Sequence, residues 1–394
     1  MERADNPPRP ARQSSVDLLI VGGGIMGLWA AVHAERLGLQ TLLVDADRFG
    51  QGASGGLLGA LMPHMPDKWS VKKQFQFDAL VSLEKEIAAL EAATGLSAGY
   101  RRAGRLIPLP KPHLLEIARG HSRDAETHWH QDGREFHWHV LGAAPVQGWI
   151  DPSAGGSGFV FDTLAARVAP RALLKVLVNF LAGARHVRLM EGLRIDGIDP
   201  ERGVATTSEG DIRFGRCILS AGHDSFPILD GLTHGRQSPL GQPVKGQAAL
   251  LKTNVDGSLP VIFRDGLYIV PHEGGLVAIG STSENRFDDP LSTDGQLDDL
   301  LIAARAMAPI LADAEVLERW AGLRPKAVDR DPMVGAHPDH PSLIALTGGF
   351  KVSFGLAHRL AEAAVREAAD MACCFKLPQT FTLASHIAVV SRKT

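Results

Sequence analysis

The chain has 394 residues, 45% of them hydrophobic, and a formal net charge of −3 with both signs interspersed. That length buries one large core or two linked ones, and the near balance of charge excludes an extended basic surface for nucleic acid. Cys217, Cys373 and Cys374 lack metal-ligand spacing, and no apolar run approaches the ~20 residues that span a bilayer. We therefore expect a soluble, cytoplasmic protein without structural disulfides, a metal site or a membrane span.

Residues 1–14 (MERADNPPRPARQS) are polar and rich in Pro and Arg, which predicts a disordered tail rather than a targeting segment. Residues 16–47 read as strand, glycine turn, helix, strand. The apolar run 16–21 suits a buried parallel strand. Gly22, Gly24 and Gly27 follow in G-x-G-x-x-G spacing, with Ile25 and Met26 between them, at the mouth of a helix that ends near Leu37 and Gly38. The first glycine permits the turn, the second lets backbone approach a pyrophosphate, and the third lets helix and strand pack closely. A second strand, 41–44, ends on Asp45 and Ala46, where a carboxylate can accept hydrogen bonds from a ribose diol. A carboxylate there disfavours NADP; these residues alone leave FAD and NAD open.

Residues 48–67 form a glycine-rich loop in which Ala53, Ser54 and Gly55 let backbone lie against a flat ligand. His64, between two Met-Pro neighbours, could reach such a ligand. Helical periodicity covers 70–94, a strand 104–108 and a helix 112–120. His128, His130, His137 and His139 could ligate zinc from two strands, but no carboxylate or cysteine accompanies them. A hairpin around Asp132-Gly133 with Trp129 and Trp138 on one face is the favoured reading.

Pro170 opens a helix to about Leu181, and 186–222 reads as a strand, a hairpin and a further strand ending at Ser220, Ala221 and Gly222. Residues 238–325 are strand-rich with one helix, 294–311. A last strand leads through a glycine turn into an amphipathic helix, and the final 20 residues have no clear pattern. No second G-x-G-x-x-G unit is present, so one dinucleotide is expected.

Several separated stretches together resemble the D-amino-acid oxidase superfamily of FAD-dependent oxidoreductases, of the glycine oxidase and sarcosine oxidase kind. They are IVGGGIMGLWAA (20–31), GASGGLLG (52–59), PVKGQ (243–247), GLYIVPHEGG (266–275), WAGLRP (320–325), DRDPMVG (329–335) and TGGFKVSFGLA (347–357). The resemblance implies an α/β fold: a Rossmann-like FAD-binding domain of the GR2 type with an inserted α+β substrate domain on a largely antiparallel sheet. The FAD domain would comprise 15–65, 155–237 and 326–372, the substrate domain 66–154 and 238–325, and 373–394 would be a C-terminal tail.

The resemblance also implies non-covalent FAD, since no cysteine lies between Gly322 and Lys351 to bond it; His64 is the remaining attachment candidate. Ser54 and Gly55 would lie near the flavin, Val187 would bond the adenine through its backbone, and Gly348, Gly349, Phe350 and Lys351 would cover the pyrimidine end of the isoalloxazine. The implied reaction oxidises the C–N bond of an amino acid or N-substituted amino acid (glycine, sarcosine, D-amino acid or opine type). Hydride passes to flavin N5 and the imine hydrolyses. Arg324 and Lys351 would hold the substrate carboxylate, Tyr268 would bond it or shape the pocket, and Lys245 would set a charge near flavin C4a. The electron acceptor would be O2 or a downstream partner, in a homo- or hetero-oligomer of open size. The alternatives are a tRNA wobble-uridine carboxymethylaminomethyl-modifying oxidoreductase, and an electron-transfer flavoprotein subunit of a hetero-oligomeric amine dehydrogenase.

Overall fold

The structure is a computed structural model that describes residues 14–392. The tail expected over 1–14 lies outside the described residues except for Ser14, which opens the first strand.

Parallel strands are covered on both faces, and Thr41–Val44 and Leu343–Thr347 are buried at every position. They join a parallel sheet ordered Val187–Met190, Thr41–Val44, Ser14–Val21, Ile212–Leu219, Leu343–Thr347. Among the described residues eight α-helices follow in chain order: α1 (Ile25–Leu37), α2 (Val71–Thr94), α3 (Pro112–His128), α4 (Pro170–Ala182), α5 (Ser225–Leu232), α6 (Gly295–Met307), α7 (Ser353–Ala368) and α8 (Leu383–Val390). On one face of the sheet α1, α2, α4 and α7 share a core around Trp29, Leu80, Leu173 and Leu360. Phe226 and Leu229 of α5 and Leu383 and Val390 of α8 close the other face. This is the expected Rossmann-like domain.

The second sheet runs Glu315–Ala327, Gly241–Lys252, Leu276–Gly280, Leu267–His272, Val261–Arg264, Arg105–Pro108, Phe159–Asp162, Trp138–Leu141. Its pairs are antiparallel except for Val261–Arg264 with Arg105–Pro108. Leu106, Ile262, Ile269 and Ile279 pack on α6. From the opposite face Ala248, Val261, Val270 and Ala278 meet Leu57 of the glycine-rich loop. That opposite face is where the two domains confront each other.

Several details differ from the sequence reading. The α2 helix, expected in the substrate domain, buries Phe77, Leu80 and Leu83 in the same core as α1 and α7; amphipathicity marks a buried face without saying which layer receives it. Phe159–Asp162, expected in the FAD domain, pairs with the second sheet. The α3 helix does not stop at Gly120 but runs on to His128, held by buried Ala118 and Ala125. The helix expected over 294–311 ends at Met307, because Pro309 cannot continue it, and resumes as a 3-10 turn, Pro309–Leu311. Residues 373–394 are not a loose tail over their described part. Thr382 caps α8 by accepting from Ser385 N–H at 3.2 Å, and Phe381, Leu383 and Val390 are buried.

The histidines of 128–139 are dispersed. His128 ends α3 and stacks on Trp69 at 4.7 Å, whereas His137 and His139 approach each other at 5.2 Å. Trp129 and Trp138 are both buried, with ring centroids 6.0 Å apart. Among the described residues no group of three or more His, Cys, Asp or Glu could hold a metal ion. No described helix is long and apolar enough to cross a membrane.

Candidate active site

A cavity of about 860 Å³ runs from the carboxyl ends of the parallel strands to the inner face of the second sheet. A crevice at strand ends is where open α/β sheets bind ligands, and the volume is at the upper end of the usual range for such sites.

Its nucleotide end is built by the glycine turn. Gly22 has φ of +103°, and a Cβ there would lie 2.5 Å from Ser220 O; at Gly27 it would lie 1.9 Å from Gly22 O. No side chain larger than hydrogen fits either place. Gly27 serves helix packing and does not itself line the cavity, whereas Gly22, Gly24, Ile25 and Met26 do. The α1 N-terminus is partly capped from outside, since Ile25 N–H donates to Ser54 Oγ at 3.0 Å. Asp45 accepts from Gly23 N–H at 2.7 Å and Asp47 N–H at 2.8 Å, which pins the turn to the end of the second strand. Each carboxylate oxygen keeps a lone pair, and Asp45 and Ala46 line the cavity where a ribose diol would lie. Ala53, Ser54, Ala221 and Gly222 line it too, while Gly55 is buried behind them.

Val187 is not brought to the cavity. Its N–H donates to Glu35 at 3.1 Å, and it pairs with Thr41 at the amino end of the sheet. The chain reaches the cavity only at Leu193, Arg194 and Ile195, beyond the carboxyl end of that strand. Val187 therefore stands below the level at which this segment meets the cavity.

At the other end, Arg324 stands on the strand Glu315–Ala327 opposite Val244, and Gly246, two residues along that neighbouring strand, makes room for it: a Cβ at Gly246 would lie 2.4 Å from Nη2. Nη1 donates to Ser281 Oγ at 3.0 Å, and Nη2 donates to Thr282 O at 2.5 Å and Lys245 O at 3.3 Å. Nε is buried without a partner. No described carboxylate pairs with this guanidinium, and burial lowers its pKa to about 10, with Tyr268 and Glu284 opposing.

The turn at Gly348 and Gly349 brings in the remaining groups. Neither glycine lines the cavity, but Gly349 packs so tightly that a Cβ would lie 2.4 Å from Met26 Cε. Phe350 N–H donates to Pro325 O at 3.1 Å, tying the turn to the Arg324 strand. The Phe350 ring thus lies between two cations, 5.4 Å from the Arg324 guanidinium carbon and 5.7 Å from Lys351 Nζ. Lys351 is on the exposed rim, its pKa lowered by partial desolvation and then by Arg324 and Arg330. Tyr268 packs on Phe263 at 4.8 Å, and burial raises its phenol pKa. His64 is also at the rim, its N–H held by Gln76 Oε1 at 2.6 Å, its ring pKa lowered by desolvation and then by Lys73.

Lys245 is a correction. Gly246 and Ala248 line the cavity, so alternation turns Lys245 to the other face, where Nζ lies 3.8 Å from Asp294 and 3.9 Å from Glu284. It is already neutralised and supplies no free charge to the cavity. Sequence reasoning missed Trp320, Phe263, Ser281 and Arg105, all of which line it. A lone arginine opening the otherwise apolar strand RLIP was the one available signal for Arg105.

The family model "FAD dependent oxidoreductase" (DAO) matches residues 17–363. Glycine oxidase of Pseudomonas aeruginosa is 30% identical over 352 residues, covering 86% of this chain and 91% of that protein. The Bifunctional protein ThiO/ThiG of Synechocystis is 27% identical over 85% of this chain, which spans only 49% of that longer protein. In fold, the chain superposes on glycine oxidase from Geobacillus kaustophilus with a TM-score of 0.81 at 21% identity, over 94% of this chain and 99% of that one. The chain belongs to the DAO family of FAD-dependent oxidoreductases.

Proposed function

We propose that this protein binds FAD non-covalently and oxidises the C–N bond of an α-amino acid or an N-substituted α-amino acid. One observation carries the reading: a half-buried guanidinium without a carboxylate partner, Arg324, lines the same cavity as the glycine cradle. A buried cation is costly unless something pairs with it, and an α-carboxylate is the anion that a planar fork takes best.

The residues fit FAD. Gly22, Gly24, Ile25 and Met26 would face the pyrophosphate, Asp45 a ribose, the 193–195 backbone the adenine, and Ala53, Ser54, Phe350 and Lys351 the isoalloxazine. FAD would supply the two-electron acceptor that no side chain can. The protein's own part is alignment. Arg324 binds the carboxylate, its position held by Ser281, Thr282 and Lys245 O; Lys351 adds charge at the rim; Tyr268 offers a hydroxyl that no described residue engages. Trp320 and Phe263 exclude water around the reacting carbon.

The test is anaerobic absorbance of purified protein while glycine, N-alkyl glycines and D- and L-amino acids are added. Bands near ~370 and ~450 nm that bleach with one of these classes support the reading. Air then distinguishes O2 from a downstream acceptor by the speed of recovery. Protein that binds FAD but is bleached by none of them refutes the amino-acid assignment.

A further inference from the structure

Two arginines line the substrate end of the cavity, and the proposed function uses only Arg324. The other, Arg105, is 2% exposed and comes from a strand five places along the second sheet. Its neighbour Leu106 packs on the α6 side, so alternation sends Arg105 to the cavity face. Nε donates to Asp162 Oδ2 at 2.5 Å, and Nη1 reaches Pro63 O only at 3.5 Å. Nη2 has no partner. Asp162 is fully buried, and its other oxygen is taken by Ala165 N–H at 2.8 Å. Trp138 and Phe263 flank the guanidinium at 5.7 and 5.9 Å. The result is a fixed, neutralised guanidinium in the cavity wall, with Nη1 barely used and Nη2 buried without a partner.

A buried ion pair that serves only the fold spends its donors inside the protein, because an unmade bond to a charged group is expensive. Arg105 leaves one wholly unspent and another barely used. Charge points the same way. Arg324, Lys351 and Arg105 face the substrate end, and only Arg105 has a carboxylate within ion-pair range among the described residues. The unpaired charges are those of Arg324 and Lys351, so the surplus belongs to the substrate end as a whole, and what Arg105 itself offers a second carboxylate is hydrogen-bond donors. Tyr268 lies between the two arginines and within the field of both.

Resting on the amino-acid reading above, we propose that Arg105 is a specificity-determining residue that receives a second carboxylate, borne on the substrate's side chain or N-substituent, while Arg324 holds the first. The preferred substrate is then a dicarboxylic amino acid.

The experiment measures KM and kcat of the holoenzyme on pairs that differ by one carboxylate: sarcosine against iminodiacetate, alanine against aspartate, and 2-aminobutyrate against glutamate, the last two as both enantiomers. Wild type is expected to show a KM at least roughly tenfold lower for the dicarboxylic member of one pair. Arg105→Met should erase that gap while leaving the monocarboxylic KM within about twofold. Asp162→Asn keeps the guanidinium and removes its counterion, so the preference should hold or grow; this variant decides the matter if Arg105→Met does not fold. Turnover without a preference in any pair overturns the proposal, as does an Arg105→Met or Asp162→Asn variant that weakens both members equally. If no compound of any pair reduces the flavin, the amino-acid reading itself has fallen, and the Arg105 assignment with it.

Discussion

Replacing Arg324 by Met should separate binding from stability, because this guanidinium has almost no structural work to do. Its pKa falls from the usual 12.5 to about 10, chiefly through burial, which corresponds to roughly 3 kcal/mol against the charged form. Three hydrogen bonds, to Ser281, Thr282 and Lys245 O, offset that cost. Removing the residue takes away both sides of the balance. Lys245 O keeps a second donor, Glu284 N–H at 3.0 Å, and the Ser281 and Thr282 oxygens face space the shorter chain opens. The folded state should therefore change by about 1 kcal/mol or less.

Substrate binding should change far more. Truncating one side of a buried charge pair costs about 2–5 kcal/mol, or roughly 30-fold to several thousand-fold in kcat/KM. Anaerobic flavin bleaching gives the rate, and thermal melting of the FAD-loaded protein gives the stability. Arg324→Lys keeps the charge but not the fork, so it should fall between wild type and Arg324→Met. Two results would refute the reasoning: an unchanged kcat/KM, or a melting temperature that collapses in step with activity. The second would make Arg324 a structural residue after all.

Other outcomes follow from the same geometry. Gly27→Val should abolish FAD incorporation, measured as the ratio of 450 to 280 nm absorbance, because even a Cβ would lie 1.9 Å from Gly22 O. Lys351→Met, on the exposed rim, should raise KM by less than about tenfold, since an exposed pair is worth about 1 kcal/mol; a loss as large as that of Arg324→Met would relocate the carboxylate site. His64→Asn should leave flavin extractable by acid precipitation, as in wild type; flavin that stays with the wild-type pellet and leaves the variant would mean covalent attachment. Stability should fall from pH 7 to pH 5. His33 is lowered to about 4 and His358 well below 6.5, both first by burial, so the unfolded chain binds protons there that the native chain refuses. This contribution is complete above pH 6.5 and drains away toward pH 4, with a slope of up to about 2.7 kcal/mol per pH unit for the two groups. A urea midpoint flat over that window would refute it.

The nucleotide end of the site was legible because its constraints are local. A strand, a turn that only glycine can make and a helix occupy consecutive residues, so Gly22 to Met26 declare themselves within one short stretch. The substrate end was legible only through resemblance, because Tyr268, Arg324 and Phe350 come from three distant segments that meet across a sheet. Arg105 escaped notice for the same reason: its partner Asp162 is 57 positions away. Val187 is instructive in another way. Strand and hydrophobic pattern were right, yet the cavity opens at the carboxyl end of the sheet, and a residue at the start of a strand carries no sign of its height.

Lys245 and Arg324 show what decides a charged residue's role in a strand. Both lie in segments that resemble the same family, on adjacent strands of one sheet. Arg324 shares parity with Trp320 and Gly322, Lys245 with Gln247. One face meets the nucleotide domain, and the other is sealed by α6 and by Glu284 and Asp294. A shift of one residue would exchange them. The small residues already mark the side: Gly246 and Ala248, next to Lys245 and Gln247, are bare because something must lie over them. At Gly246 that something is the Arg324 guanidinium itself. The same test places Arg105, since Leu106 and the α6 core claim one face and leave the other for the arginine. A cation's parity in its strand, read against the glycines beside it, thus separates the arginines that face the cavity from the lysine that closes an ion pair on the other side.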